Sequence, residues 1–270
     1  MNYRLLAQVL VIGLSAAALS FGAGVPSEER TTEAIPLAPD VQQEIARVVA
    51  ALSAGDMSED AVQKIVKDFR GFKNKSHPEL LLQVLAVYGG KDEYRSNPRA
   101  EMAKRLLLSN LLQKMTPSDI VAAVAPKYEH ASDLKLQKSL RHALDMAALK
   151  NGRVDPDFEA FSAYIAQNKD QPPRKLVGYM YAHNPQAAVL SMARLYGDNE
   201  TESDLADQIK GDPKAALQSL SDRPEWWAHL YVAETMKKQP QLRDVALLKK
   251  LEKDDNPLVK EKIAEIISVK

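Results

Sequence analysis

The sequence contains no cysteine, and this absence excludes several kinds of chemistry. Disulfide-stapled extracellular folds, thiol catalysis, zinc sites with cysteine ligands and iron–sulfur clusters all require that residue. Aromatic residues make up only 6%, and 36 basic residues balance 36 acidic ones. Because affinity for nucleic-acid phosphates needs a surplus of lysine and arginine, we expect no nucleic-acid partner.

Long apolar runs are also lacking, except at the amino terminus. There a short segment with one basic side chain precedes the apolar residues 5–19, and small residues follow at 20–24. This order is typical of a signal peptide, so we predict one over residues 1–24 and export to the periplasm or the extracellular medium. The alternative is an uncleaved anchor, because residues 5–23 are just long enough to span a bilayer. We expect no membrane span in the mature chain.

Residues 25–38 have a composition unlike that of a folded core. They contain Pro26 and Pro36 together with serine, threonine and glutamate, and no periodic apolar pattern. Such a stretch predicts a flexible tether, or alternatively a remnant of processing. We assign residues 39–270 to one helical domain.

From Asp40 onward, apolar residues recur at helical spacing, as in Val41, Ile45 and Val48. Most glycines beyond the signal, Gly197 and Gly211 among them, fall where such a run ends. A helix often places a left-handed C′ residue at that position. Sustained alternation and Asn-Gly hairpin signals are missing from the sequence. The pattern therefore predicts an all-α protein.

Proline spacing indicates how the helices are arranged. Prolines at 78, 98, 117 and 156 follow capping residues or open periodic runs, with intervals of 20, 19 and 39 residues, and Ser132 marks a further start. A helix with its turn thus takes about 20 residues and a helix pair about 39, the size of a two-helix repeat. We predict an α-solenoid of stacked antiparallel helix pairs that is irregular in its second half.

The carboxyl-terminal segment 247–260 supports this prediction through a family resemblance. A leucine ends one helix at Leu251, Asp254 lies in the turn, and Pro257, Val259 and Lys260 open the next helix. This segment resembles the junction of a HEAT repeat. The resemblance as a whole covers about 30 residues at the carboxyl terminus. The resemblance implies that Ile263, Ala264 and Ile267 continue the buried face, and it departs from the family at Lys262. It also implies an α-solenoid that contacts proteins and has no catalytic residues.

Residues with catalytic potential are scattered along the chain. No two of the five histidines (His77, His130, His142, His183 and His229) have metal-ligand spacing on one helix. Ser132 and Lys135 match Ser-x-x-Lys, but Ser132 suits a helix N-cap better. We therefore predict no enzyme activity, no metal and no cofactor. The alternative is a glycan-active enzyme whose two carboxylates come together from distant positions in a helical cleft.

Three features are candidates for partner binding. One is a basic run, for which the alternative is a solvated helix end: Lys64, Lys67, Arg70, Lys73 and Lys75. Another is Trp226 with Trp227, which point about 100° apart on a helix, so that each is either core or an exposed anchor. The third is the last apolar face, where Ile266 and Val269 either turn inward or dock a partner or a second copy. The sequence thus predicts an exported, non-catalytic scaffold that binds another protein or a peptide.

Overall fold

The computed structural model describes residues 77–88, 98–149, 156–197 and 199–268, together with the isolated residues 43 and 50. All of them belong to the unit Leu37–Lys270. The predicted signal peptide, the tether, the basic run at 64–75 and Val269 lie outside the described residues.

The described residues form twelve α-helices and one short 3₁₀-helix, Pro240–Leu242, and they contain no strand. The all-α prediction is therefore confirmed for this part of the chain. In chain order the helices are α1 (His77–Val87), α2 (Pro98–Lys114), α3 (Pro117–His130), α4 (Leu134–Ala148), α5 (Glu159–Ala166), α6 (Arg174–His183), α7 (Pro185–Tyr196), α8 (Asn199–Lys210), α9 (Pro213–Ser221), α10 (Trp226–Lys238), α11 (Val245–Leu251) and α12 (Pro257–Ser268).

Capping side chains explain why several helices begin where proline suggests. The Thr116 hydroxyl accepts the Asp119 N–H at 3.1 Å, and the Asp119 carboxylate accepts the Thr116 N–H at 3.2 Å. This reciprocal capping box opens α3. The side chains of Asn184 and Asp212 each accept the N–H of the residue three positions later in the chain. A proline follows each of them as the first residue of the helix.

Two predicted starts are wrong in detail. The N-cap of α4 is Asp133 rather than Ser132, because its carboxylate accepts the Leu136 N–H at 2.7 Å. Helix α5 begins at Glu159, three residues beyond Pro156.

Gly197 also differs from its prediction. Its φ is −99°, so it does not adopt the left-handed conformation expected after a helix. A Cβ at this position would lie 2.7 Å from the carbonyl oxygen of Ala193 and 3.0 Å from Cγ2 of Thr201. Glycine is thus favoured here mainly because a Cβ would meet the last turn of α7, and secondarily because of Thr201 on α8, and not by handedness.

Helices pack mainly against near neighbours in the sequence. Helices α1, α3, α5 and α7 contact one another in succession, and so do α2 with α4 and α10 with α12. Helix α6 contacts α3, α7 and α10, while α8 packs on α7 and α9. A continuous set of buried side chains, from Leu80 to Ile266, fills the space between these helices.

The buried face of α12 differs in part from the predicted one. Val259 and Ile263 are buried as expected, but the third buried residue is Ile266. Ala264 and Ile267 are exposed, Ile267 to 48%. Positions 259, 263 and 266 follow the i, i+4, i+7 spacing of one helix face, and residue 267 lies beyond its edge.

None of the helices in the described ranges has both the length and the hydropathy needed to cross a membrane.

Candidate functional site

The tandem tryptophans have separate roles. Trp227 is buried, its carbonyl accepts the Tyr181 hydroxyl at 2.8 Å, and the Arg223 guanidinium lies 5.8 Å from its ring. Trp226 is half-buried and packs edge-on against Tyr196, with ring centroids 5.9 Å apart. Trp227 is thus a core residue, whereas Trp226 still presents part of its ring to solvent.

Ile266 is 3% exposed and belongs to the core between α10 and α12. Its side chain is therefore not accessible to a partner in this conformation. The alternative in which this face turns inward accounts for its position. The basic run and Val269 lie outside the described residues.

The structure brings together a different group of side chains, at the carboxyl-terminal ends of α4, α6 and α10. The Tyr179 hydroxyl donates to Asp145 at 2.8 Å, and His183 Nε2 lies 3.8 Å from the same carboxylate oxygen. The Lys238 ammonium donates to the His183 carbonyl at 3.3 Å. We call Arg141, Asp145, His183 and Lys238 the central surface; Met146 is the exposed residue that follows Asp145 on α4.

Aromatic packing beneath the central surface fixes its geometry. The Tyr179 ring stacks on Phe161 at 5.7 Å and meets Tyr128 edge-on at 6.4 Å, while the Arg141 guanidinium lies 5.7 Å from the same ring. Burial, and then the negative charge of Asp145, raise the pKa of Tyr179 far above its usual value. The hydroxyl therefore stays protonated and keeps donating to Asp145, which orients that carboxylate.

The central surface and the residue adjoining it, Met146, include residue types that are common in protein interfaces. Met146 is 42% exposed, Arg141 is exposed, and Asp145 and His183 are half-buried. Arginine, methionine and aromatic residues are enriched in interfaces, where one apolar contact surrounded by polar groups supplies much of the affinity.

A cavity of about 280 Å³ adjoins the central surface at Lys238. Tyr231 and Thr235 of α10 are buried residues that form part of its wall, and exposed residues border it. The polar residues that line it are Asn184, Gln186, Tyr231, Thr235, Lys238 and Gln239.

Lys238 is an exposed residue at the border of this cavity. Burial lowers the pKa of Lys238 although Glu234 attracts the ammonium, and the neighbouring Lys237 lowers it further. Burial also raises the pKa of Tyr231, against hydrogen bonds from Thr235 and Gln186. At neutral pH the cavity therefore offers a cation and a neutral phenol.

A second cavity, of about 290 Å³, is relevant to the enzyme alternative because two carboxylate residues line it. Asp157 and Glu159 line it together with residues of α3, α4 and α5. The Asp157 carboxylate accepts the Glu159 N–H at 2.9 Å and so serves the start of α5. In the described ranges, no three histidine, aspartate or glutamate side chains are grouped so as to hold a metal ion.

The central surface is not apparent from the sequence. Asp145 and His183 are 38 residues apart and Lys238 is 55 residues beyond His183, so only the packing of α6 between α4 and α10 brings them together. The available signal was weak: His183 directly precedes an Asn-Pro helix start, which places it at a helix end.

Comparison with family models finds no match for the chain, and comparisons with curated proteins and with solved structures find none either.

Proposed function

We propose that this protein is an exported, non-catalytic scaffold that binds another protein or a peptide through a helical-repeat surface. The central surface is the observation that carries the proposal. It gathers charged groups that are held in place by buried aromatic packing, and the adjoining residue of α4, Met146, is apolar and exposed.

The helix contacts support a solenoid arrangement. If the helices are paired as α1–α2, α3–α4 and α5–α6, the first helices of successive pairs touch, and the second helices α2 and α4 touch as well. Stacking of this kind lets each pair bury an apolar face that it cannot bury alone. Helix α8 departs from the pattern, because it packs on α7 and α9 and thereby shifts the later pairs.

In a HEAT-like repeat protein, stacking of this kind creates a binding surface. In a solenoid, the second helices of the pairs form a continuous surface, and here α4, α6 and α10 supply the central surface. Lys262, the residue at which the sequence departs from the HEAT pattern, lies 3.3 Å from the buried Glu234 on α10. An ion pair therefore occupies a position where the family has a small residue.

The amino-terminal sequence supports export. Its basic start, apolar run and small residues at 20–24 have the order of a signal peptide. We place the mature scaffold in the cell envelope or the secreted fraction, with no cofactor.

Affinity capture from the envelope fraction, followed by mass spectrometry, tests the proposed function. Arg141→Glu reverses a charge on the central surface, and Lys214→Glu reverses one on the exposed start of α9 as a matched control. We expect a partner that wild type and Lys214→Glu retain and that Arg141→Glu loses. A set of captured proteins that is the same for all three, or an empty one, contradicts the proposal.

A further inference from the structure

We propose that the cavity beside Lys238 binds a peptide segment that carries a carboxylate, with the ammonium of Lys238 as its counter-ion. This inference rests on the proposed function, because it specifies the chemistry of the partner at one point of the binding surface.

The cavity has the size and depth for a small part of a peptide. Its volume of about 280 Å³ lies just below the range of roughly 300–1,000 Å³ for pockets that hold whole ligands. Tyr231 and Thr235 are 5% and 7% exposed, so the cavity reaches side chains of the protein interior. Such a site accommodates a terminal residue or one acidic side chain, while the rest of the partner remains on the central surface.

Lys238 has capacity for a further acceptor. An ammonium group has three N–H donors, and one of them reaches the His183 carbonyl at 3.3 Å. None of the described residues that line the cavity is acidic. The nearby Glu234 is 2% exposed and lies within ion-pair distance of Lys262 on α12. Glu234 attracts the exposed ammonium of Lys238, but none of the described residues that line the cavity supplies a carboxylate, so that a partner's carboxylate would be its counter-ion inside the cavity.

Side-chain amides supply the complementary peptide contacts. Asn184, Gln186 and Gln239 line the cavity, and a carboxamide has both an N–H donor and a carbonyl acceptor. A peptide group has the same two functions, so amides next to a cation match a peptide backbone followed by a carboxylate. A purely apolar ligand would leave these polar groups unpaired, at a cost in free energy.

NMR titration of the full mature chain tests this proposal with three probes. They are N-acetyl-trialanine with a free terminal carboxylate, its terminal amide, and an amidated N-acetyl tripeptide with a central aspartate. We expect saturable shifts of the Gln186, Thr235 and Gln239 amide resonances with the first or third probe, and affinity about tenfold weaker for the second, because one charge-assisted hydrogen bond is lost. Binding of the first probe alone would show that the cavity recognises a terminal carboxylate. Binding of the third probe alone would show that it recognises a side-chain carboxylate.

Lys238→Gln and its control, Lys249→Gln on the exposed face of α11, complete the test. We expect Lys238→Gln to bind the carboxylate probes about tenfold more weakly, and Lys249→Gln to bind them like wild type. In wild type the pKa of Lys238 should rise on binding. Equal affinity for acid and amide probes, or full affinity in Lys238→Gln, overturns the carboxylate site.

The absence of saturable shifts with every probe also overturns the carboxylate site. The proposed function fails separately, when capture of a partner does not depend on Arg141. If Arg141→Glu loses the partner and Lys238→Gln retains it, the proposed scaffold function is supported and the carboxylate site is contradicted.

Discussion

The ammonium of Lys262 on α12 lies 3.3 Å from the buried carboxylate of Glu234 on α10. The two groups are within ion-pair distance but lack hydrogen-bond geometry, and Glu234 Oε2 has no hydrogen-bond partner. Burial alone would lower the pKa of Lys262, but the hydrogen bond to Glu265 and the charge of Glu234 outweigh burial and raise it. Lys262 therefore remains charged and compensates Glu234.

We predict that Lys262→Met destabilises the protein by about 3 kcal/mol, because it leaves the Glu234 charge buried and unpaired. The double variant Glu234→Gln with Lys262→Met should recover most of this loss, since an unpaired charge costs more than a neutral polar group. Urea unfolding of the single and double variants measures the difference. Equal losses in both variants would mean that the pair contributes nothing as a pair.

A second ion pair, between Arg194 and Glu202, makes the free energy of unfolding depend on pH in the acid range. The hydrogen bond from Arg194, at 3.0 Å from its Nε, lowers the pKa of Glu202 below its usual value of 4.5 and joins α7 to α8. A lowered pKa in the folded state adds stability above about pH 4.5, and that stability is lost as the pH falls through the folded-state pKa.

We therefore predict that Glu202→Gln is less stable than wild type at pH 7 by at most about 1 kcal/mol, because the pair is largely solvated. The difference should be smaller at pH 3, because Glu202 of the unfolded chain gains its proton below about pH 4.5, before the folded protein does. Urea unfolding at the two pH values measures it, with the exposed Glu261→Gln as control. A difference between wild type and Glu202→Gln that is the same at both pH values would contradict the assignment.

The turn between α11 and α12 is fixed by His229 of α10. Its Nδ1 contacts the Asp254 carboxylate, and its Nε2 lies 2.7 Å from the Arg223 carbonyl oxygen. Asp254 also accepts the Asn256 N–H at 2.6 Å. Both ring nitrogens of His229 thus face oxygen atoms, one on each side of the ring.

We predict that Asp254→Ala lowers the opening free energy of α12 amides by about 2 kcal/mol, because a charge-assisted contact and a turn cap are lost together. Hydrogen exchange measures this, and amides of α3 should keep their protection. Asp255→Ala, at the exposed neighbouring position, is the control. Unchanged exchange in α12 would show that the turn does not depend on Asp254.

Local features of the fold were predictable from the sequence, because capping and helix periodicity act over a few residues. The Thr116–Asp119 capping box and the starts at Pro185 and Pro213 are examples. Long-range caps were not predictable. The Glu129 carboxylate accepts the backbone N–H groups of Arg174 and Lys175, 45 and 46 residues away, and so caps α6 from α3.

The same limit explains why the candidate site was missed. Helical spacing separated Trp226 from Trp227 into two directions, but it did not show which one packs against Tyr181. The cavity at Lys238 depends on the packing of α6 and α7 against α10, which only tertiary contacts determine.

Site-specific photo-crosslinking tests the central claim most directly. A photoreactive phenylalanine analogue replaces either Met146, next to Asp145 of the central surface in the sequence, or Lys214 on α9, both of which are exposed. After irradiation of the envelope fraction, we predict a discrete crosslinked product from position 146 and much less of it from position 214. Equal yields at the two positions, or no product from position 146, would contradict a protein-binding role for this surface.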